Sequence, residues 1–405
     1  MADMTDVHHE SRSTTNAAAN ANNPTPRRPQ PGEPVRFGVV AVGQISQQAF
    51  LPAMRSLPDA KLTAVVTSSE EKAGVADDLA GTGHDPEVYG YEDFGRLLAD
   101  DVVDALYVAT PVFRHREFTE PALDAGIHVL LEKPMATSVA DSEAMIAAAQ
   151  RSGATLMVAY RMHQDAFMVE LVDRVRRGFI GETRTFTSTF THDIEEANHR
   201  GHSGFWGGPV PDFGAYPLNL VRHLFDAEPT HVHATGAVSG ERGFNFHDLV
   251  GVTLRFPGNR VAQYTLSYNS ADLDAFAITG TKGTITSDSV FGYAPEPPRE
   301  FTLDSDLRSE HYVAESVDQF AGETRYFIDC LRSGVRPEPD GAEGLADVRV
   351  FAAIEESLRL GREVILPPRQ FGPGLTRDQI RRIPPRPSGD IPGDDDLVDQ
   401  VPQDR

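Results

Sequence analysis

The residues Leu131-Glu132-Lys133-Pro134 carry the clearest chemical signal in the sequence. Ahead of them, Gly126-Ile127-His128-Val129-Leu130 reads as a short buried strand, apolar and opened by a glycine. Behind them, Ala136-Thr137-Ser138 leads into a segment from Val139 to Arg151 with helical spacing at Ala140, Ala144, Ala147 and Ala148. Thr137 or Ser138 can serve as its N-cap. Lys133 therefore stands just beyond the carboxyl end of a strand, where open parallel sheets bind their ligands. Lysine is scarce here: of 37 basic residues only Lys61, Lys72, Lys133 and Lys282 are lysines. A chain that uses arginine almost everywhere keeps, at this corner, the cation whose compact ammonium and adjustable pKa suit proton chemistry.

A second constellation is Asp212-Phe213-Gly214-Ala215-Tyr216, which precedes an apolar helical stretch from Pro217 to Phe225. If that helix begins near Asp212, the four-residue spacing brings the Asp212 and Tyr216 side chains to one face. An N-cap aspartate beside a core tyrosine would look the same. The chemical reading is a proton-transfer group with its orienter. A phenol is a poor base at neutral pH, but a nearby ammonium, such as that of Lys133, stabilises the phenolate. Hydride transfer from a secondary alcohol or hemiacetal needs such a group, because the hydroxyl must lose its proton as the carbonyl forms. His115, His163 and His202 are alternative proton carriers. No histidine pair has the His-Glu-x-x-His spacing of a zinc site, so no metal is expected.

The elements that must position these residues alternate in type. Arg36 to Ala41, Lys61 to Val66, Val103 to Ala109, the segment before Lys133 and Thr155 to Ala159 read as strands. Helices are expected over Ser46 to Ser56 (interrupted by Pro52), Glu70 to Leu79 and Arg114 to Asp124. This alternation implies an α/β fold with a doubly wound parallel sheet. The first strand ends in Ala41-Val42-Gly43-Gln44-Ile45-Ser46, which retains the middle glycine of the dinucleotide fingerprint. Gly43, Gln44 and Ile45 would receive a pyrophosphate at the helix N-terminus. An acid at the end of the second strand would select NAD. Here the residues are Thr67-Ser68-Ser69, and Thr67, Ser68 and Lys72 can accept the 2′-phosphate of NADP, so NAD is the weaker expectation. Lys72 could equally be a helix-surface cation.

Beyond Tyr160 the pattern changes. A helix from Asp165 to Arg177 is followed by segments of period two at Thr183 to Phe190, Val250 to Phe256 and Arg260 to Leu266, the last two joined by a Pro257-Gly258-Asn259 turn. They predict a large, open, mainly antiparallel sheet with one solvated or partner-covered face. Helices return at Gln319 to Ser333 and Gly344 to Leu360. The expected domains are a disordered proline-rich arm over 1–34, a Rossmann domain over 35–159, a second domain over 160–366 and an acidic proline-rich tail over 367–405.

At 405 residues the length fits two domains. There is no apolar run of membrane-spanning length and no export-signal pattern, so a soluble cytoplasmic protein is expected. The net charge of −23 argues against nucleic acid and anionic membranes as partners. The lone Cys330 excludes a disulfide framework.

Glu132-Lys133-Pro134, Asp212-x-Gly214-x-Tyr216, Tyr160-Arg161-x-His163, Asn219, Arg222 and Asp347-Val348-Arg349 together resemble the glucose–fructose oxidoreductase / inositol dehydrogenase family, most nearly its glucose–fructose oxidoreductase branch. The resemblance runs from about Arg36 to Val364. It implies a Rossmann domain followed by an α/β domain whose open sheet forms subunit interfaces, hence a homo-oligomer, dimer or tetramer. It implies Lys133, Asp212 and Tyr216 as the catalytic group, with tyrosine where many relatives have histidine. Thr67 and Lys72 match positions that take the NADP phosphate, and Thr110, Pro111, His115, Glu132, Lys133 and Arg161 match further cofactor contacts. The proline-rich arm matches one that embraces a neighbouring subunit. The implied reaction is NADP-dependent hydride transfer on an aldose, ketose or polyol. A simple sugar or dihydrodiol dehydrogenase, or a non-catalytic NADP sensor, are the alternatives. Three features depart from the family pattern: Ala41 at the first glycine, Val112-Phe113 after Thr110-Pro111, and Pro209 and Pro211 ahead of Asp212.

Overall fold

The structure, a computed structural model, describes residues 25–387 apart from 84, 195–198, 241, 289 and 293–297. Its first half is a six-stranded parallel sheet built from β1 (Val35–Val40), β2 (Ala60–Val66), β3 (Glu87–Tyr89), β4 (Ala105–Val108), β5 (His128–Glu132) and β6 (Leu156–Ala159). The strand order is β3-β2-β1-β4-β5-β6, the doubly wound arrangement expected from the alternating pattern. Every residue of β4, β5 and β6 is buried, as strands covered on both faces must be. Helices Glu70–Ala80, His115–Asp124 and Val139–Ser152 lie within one residue of the expected bounds at their ends. Ser138 is the N-cap of the last of these, accepting from the Asp141 N–H. The first helix differs. It is wound as a π-turn over Ser46–Phe50, becomes α-helical at Leu51–Met54 and stops two residues early. Pro52, which has no N–H to donate, falls where the winding changes.

The second half is a nine-stranded sheet of β7 (Thr183–Thr191), β8 (His231–Ala237), β9 (Leu249–Phe256), β10 (Arg260–Ser267), β11 (Leu273–Gly280), β12 (Gly283–Asp288), β13 (Glu300–Ser305), β14 (Arg308–Val313) and β15 (Val364–Ile365). The order is β14-β13-β12-β11-β7-β10-β9-β8-β15. All pairs are antiparallel except β7 with β10, which run parallel from Val261↔Thr185 to Ser267↔Thr191. One face packs on helices Ala166–Arg176, Ala215–Phe225 and Gly341–Leu360 through Phe167, Leu218, Val221, Phe351 and Ile354. The other face exposes threonines, among them Thr185, Thr187, Thr265, Thr284 and Thr286.

Helix Gly341–Leu360 serves both cores, with Val348 packed among Met135 and Val158 and Phe351 packed in the second domain. Helix Gln319–Ser333 returns to the first domain, where Phe327 meets Phe37 at 6.3 Å between ring centres. The two domains are thus joined by buried apolar contacts. No helix among the described residues is long and apolar enough to cross a membrane.

Both chain ends differ from the expected arm and tail where they are described. Residues 25–34 lie against the first domain: Arg27 Nη1 is 2.7 Å from the buried Asp104 carboxylate, His128 Nε2 is 2.8 Å from the Arg27 carbonyl, and Arg332 donates to the Glu33 carbonyl at 2.6 Å. Residues 367–387 form a strap. Leu375 is 2% exposed, its carbonyl accepts from Arg176 at 2.7 Å, and Gln379 and Arg381 bond Glu338 and Asp329 at 2.6 Å. A proline-rich stretch with spaced arginines and one leucine can hold itself to a body in this way, but its composition alone resembles a tail. The run Asp394-Asp395-Asp396 and residues 1–24 lie outside the described residues.

Candidate active site

β5 ends at Glu132, and the turn that follows hands Lys133 to the mouth of the sheet. Glu132 is buried and fixes the turn: Tyr107 donates to Oε1 at 2.6 Å and the Lys133 N–H donates to Oε2 at 3.1 Å. Burial raises the pKa of its carboxyl against the pull of Tyr107 and Lys133. Asp212 closes a short helix, Pro209–Asp212, and Tyr216 is the second residue of helix Ala215–Phe225. The two are not on one continuous helix. Gly214 stands at the joint, where a Cβ would lie 2.3 Å from the Val210 carbonyl oxygen. Only glycine permits that turn. Pro209, at the first position of the short helix, fills a place where a missing N–H costs nothing.

The three residues converge. Lys133 Nζ is 3.0 Å from Asp212 Oδ1 and 3.1 Å from its carbonyl, and lies 4.8 Å from the centre of the Tyr216 ring. Burial works against the charge on Lys133, but Tyr216, Asp212 and Glu132 outweigh it and hold its pKa above the ordinary lysine value. A lysine so placed stays an ammonium. The Tyr216 hydroxyl makes no hydrogen bond among the described residues.

Two residues near this group had no such role in the sequence reading. Arg161, expected at the cofactor, is buried; it bonds the Phe291 carbonyl and Gln319 Oε1 and sets its guanidinium 4.7 Å from the Tyr216 ring centre. Tyr268, one residue past β10, donates to Asp212 Oδ2 at 2.7 Å. In the sequence it reads as one more apolar residue of an alternating strand, and nothing marks its partner 56 positions away.

The helix bearing Tyr216 is anchored from beneath. Arg222, fully buried, pairs with Glu228, Glu343 and Asp347 at 2.7 Å each, and Tyr160 at the end of β6 donates to Asp347 at 2.7 Å. Burial lifts the Asp347 pKa to about 6 despite Arg222. Beside them, ligand-type atoms of His163, His223 and Glu338 come within 4.8 Å of one another, a grouping that local spacing could not reveal. His163 faces Asn219 Oδ1 at 2.7 Å and Glu338 Oε2 at 3.0 Å, so both ring nitrogens donate. Burial opposes that charge, but Glu338 raises the His163 pKa. His223 Nδ1 accepts from the Leu375 N–H at 3.2 Å, which leaves its proton on Nε2, 3.3 Å from Glu343. The three side chains act as a polar clamp beneath the helix that bears Tyr216.

The residues expected around a dinucleotide sit at the carboxyl ends of β1, β2 and β4. Ala41, in place of the first glycine, holds φ 75°, the left-handed conformation a glycine would supply. Ser46 Oγ and Gln47 Nε2 donate to the Ala41 and Val42 carbonyls at 2.8 and 3.1 Å and lace the turn. A Cβ on Gly43 would meet nothing within 4 Å, so the space above it is open to a pyrophosphate. Thr67 is buried and accepts from the Ser69 N–H, Ser68 is exposed, and Lys72 is 7% exposed, not a helix-surface cation. The Thr110 hydroxyl is buried without a hydrogen-bond partner, beside the exposed Pro111. These features fit a bound dinucleotide. His115 does not face such a group freely: its ring nitrogens lie 2.9 Å from the Thr110 carbonyl and 3.2 Å from the Met135 carbonyl, bracing one turn against the other. Burial lowers its pKa to about 4.

A parallel six-stranded sheet with an open glycine turn after its first strand, and a lysine, aspartate and tyrosine meeting at its mouth, defines a dinucleotide-dependent oxidoreductase. Comparison with known proteins agrees. Residues 35–160 match the oxidoreductase family with NAD-binding Rossmann fold, GFO/IDH/MocA, and residues 168–286 match a GFO/IDH/MocA C-terminal domain. The chain is 32% identical over 332 residues to D-xylose 1-dehydrogenase [NADP(+)] of Haloarcula marismortui, covering 80% of this chain and 91% of that protein. The crystal structure of aldose-aldose oxidoreductase from Caulobacter crescentus complexed with glycerol superposes with TM-score 0.75 at 30% identity, over 82% of this chain and 100% of the other. A 3-ketoreductase from Actinomadura kijaniata in complex with NADP and TDP-benzene gives TM-score 0.73 at 25% identity, over 80% and 98%. The chain belongs to the GFO/IDH/MocA oxidoreductase family.

Proposed function

We propose that this protein is an NADP-dependent oxidoreductase of a sugar or polyol, in which Tyr216 exchanges the proton of the reacting hydroxyl. The observation that carries this reading is the convergence of Lys133 on both Asp212 and Tyr216. When bound, the nicotinamide accepts or supplies the hydride. The chain's own residues handle the proton and the orientation. Tyr216 in its deprotonated form takes the proton from the substrate hydroxyl as the carbonyl forms, and in its protonated form returns it in reduction. Lys133 remains charged and stabilises the oxygen anion that forms beside it. Asp212 holds the ammonium so that it points at the tyrosine and not at solvent. Arg161, over the same ring, adds a second fixed cation.

The turn of Gly43, Gln44 and Ile45 would hold the pyrophosphate, and Thr67, Ser68 and Lys72 the 2′-phosphate. Thr67-Ser68-Ser69 in place of an acid at the end of β2, with Lys72 close behind, support NADP over NAD, as does the cofactor named for the xylose dehydrogenase. The relatives' names, D-xylose 1-dehydrogenase and aldose-aldose oxidoreductase, support an aldose or related polyol as substrate. The threonine-rich open face of the second sheet supports association of copies of this chain through that face. The test is direct: purified protein is denatured and its released nucleotide identified, and the native protein is assayed for NADPH formation with a panel of aldoses and polyols. NADPH formed with at least one sugar is expected. No turnover with any of them, in either direction, would overturn the reading.

A further inference from the structure

We infer that Tyr268 is a positioning residue of this site, its phenol fixing the second oxygen of Asp212 and so setting where Asp212 holds the Lys133 ammonium. The inference rests on the proposed roles of Lys133 and Asp212 but concerns a residue outside that group. Asp212 has its carboxylate shared between two domains. Oδ1 meets Lys133 from the Rossmann domain at 3.0 Å, and Oδ2 meets Tyr268 from the end of β10 at 2.7 Å. The phenol has one proton to give. The Gly208 carbonyl is also near, at 3.4 Å, so a buried tyrosine seeking any acceptor had another choice; the short contact is to the carboxylate.

The ring itself cannot wander. It is fully buried, Phe213 meets it edge-on at 4.9 Å, and Phe246 and Phe244 approach at 6.0 and 6.4 Å. Its backbone is pinned as well, the N–H donating to the Asp248 carbonyl and the carbonyl accepting from the Ile194 N–H. A carboxylate held at both oxygens keeps one plane. Without the phenol, the 2.7 Å hydrogen bond that fixes Oδ2 is gone, and Lys133 is left between Asp212 and Glu132, which also favours its charge. The aromatic wall alone would explain a buried ring; only the oxygen explains a held carboxylate.

Tyr268→Phe removes that oxygen and keeps the ring. The first readout needs no substrate: labelling of Lys133 by an amine-reactive probe over a pH series, followed by mass spectrometry, with Lys61 and Lys282 as internal references. In Tyr268→Phe, Lys133 should label several-fold faster at a given pH, with the reference lysines unchanged. NADP affinity should stay within about twofold. For an accepted sugar, kcat should fall roughly ten- to a hundredfold, the range for losing a hydrogen bond to a charged group, with a smaller change in KM. Adding Tyr268→Phe to Asp212→Asn should cost little more than Asp212→Asn alone, because both act through one carboxylate. Tyr268→His retains a donor and should recover part of the slow labelling; it also serves if the phenylalanine variant does not fold. A Lys133 labelling profile in Tyr268→Phe that overlays the parent, a histidine variant that labels as fast as the phenylalanine one, or a full additive loss in the Asp212→Asn background would each overturn the inference. If no sugar is turned over, the proposed function fails while the labelling comparison still decides the role of Tyr268.

Discussion

Lys133 Nζ lies 4.8 Å from the centre of the Tyr216 ring, although one residue follows a strand of the first domain and the other begins a helix of the second. Their meeting depends on the buried contacts that join the domains, since neither domain alone contains the pair. The ring already carries the planar guanidinium of Arg161 at 4.7 Å. The second cation must fit between that ring and Asp212, a space suited to a compact ammonium on a flexible stem.

Tyr216→Phe keeps the ring and its contacts with Phe190 and Phe291 at 5.9 and 5.8 Å, so folding should survive. The expected loss is that of positioned acid–base catalysis, on the order of 10²–10⁴ in rate, with NADP binding nearly unchanged. Lys133→Arg should fail comparably, because a broad fork cannot occupy the same position between Asp212 and the ring. Turnover of an accepted sugar, measured after thermal melts establish folding, checks both. A fully active Lys133→Arg enzyme would refute the role given to the ammonium.

Lys72 is expected to distinguish the two dinucleotides. It is nearly buried in the first turn of helix Glu70–Ala80, close behind Thr67 and Ser68. Lys72→Ala should weaken NADPH by roughly tenfold or more, as for a charge-assisted contact, and leave NADH almost unaffected. Fluorescence titration with both reduced cofactors reads this out; tighter binding of NADH by the parent protein would contradict it.

Much of this site was legible because its chemistry sits at element ends. Lys133 follows a strand with an apolar centre, and Gly214 is forced by a close backbone approach, so both leave local marks. The strand–turn–helix order around Gly43 was legible despite Ala41. What escaped depends on pairing across distance. Period two marks β7 and β10 as strands but does not say that they lie side by side in parallel. Tyr268 and the clamp of His163, His223 and Glu338 are assembled from segments far apart in the chain. β3 is only three residues long, and β12 and β13, though they alternate, have just one and two apolar residues to mark their buried face. The strap of residues 367–387 was hidden by a composition that also describes disorder.

That strap should contribute to stability. Leu375 is its one fully committed apolar residue, packed into the core of the second domain, and its N–H satisfies His223 Nδ1. Leu375→Ala is expected to cost about 2–4 kcal/mol, the usual range for emptying a buried leucine site. Chemical denaturation of the two proteins measures this. A loss under about 0.5 kcal/mol, the level of an ordinary surface change, would mean that the strap only rests on the surface.

His115 should make the fold acid-sensitive in a defined window. Burial lowers its pKa from the ordinary 6.5 to about 4, so in the folded protein the ring stays neutral until the medium is quite acidic. Between those values the unfolded chain takes up a proton that the folded chain does not, and stability falls as pH falls. Above 6.5 the ring is neutral in both states and contributes no slope. Across the whole window the loss attributable to this residue is about 3 kcal/mol. His115→Gln retains an amide that can donate to the Thr110 and Met135 carbonyls but cannot titrate. It should be less stable than the parent at neutral pH, because the ring's packing is lost, and the gap should narrow steadily as the pH is lowered through the window. Thermal or urea melts of both proteins at several pH values test it. Parallel stability curves would show that the ring is already free to protonate in the folded state.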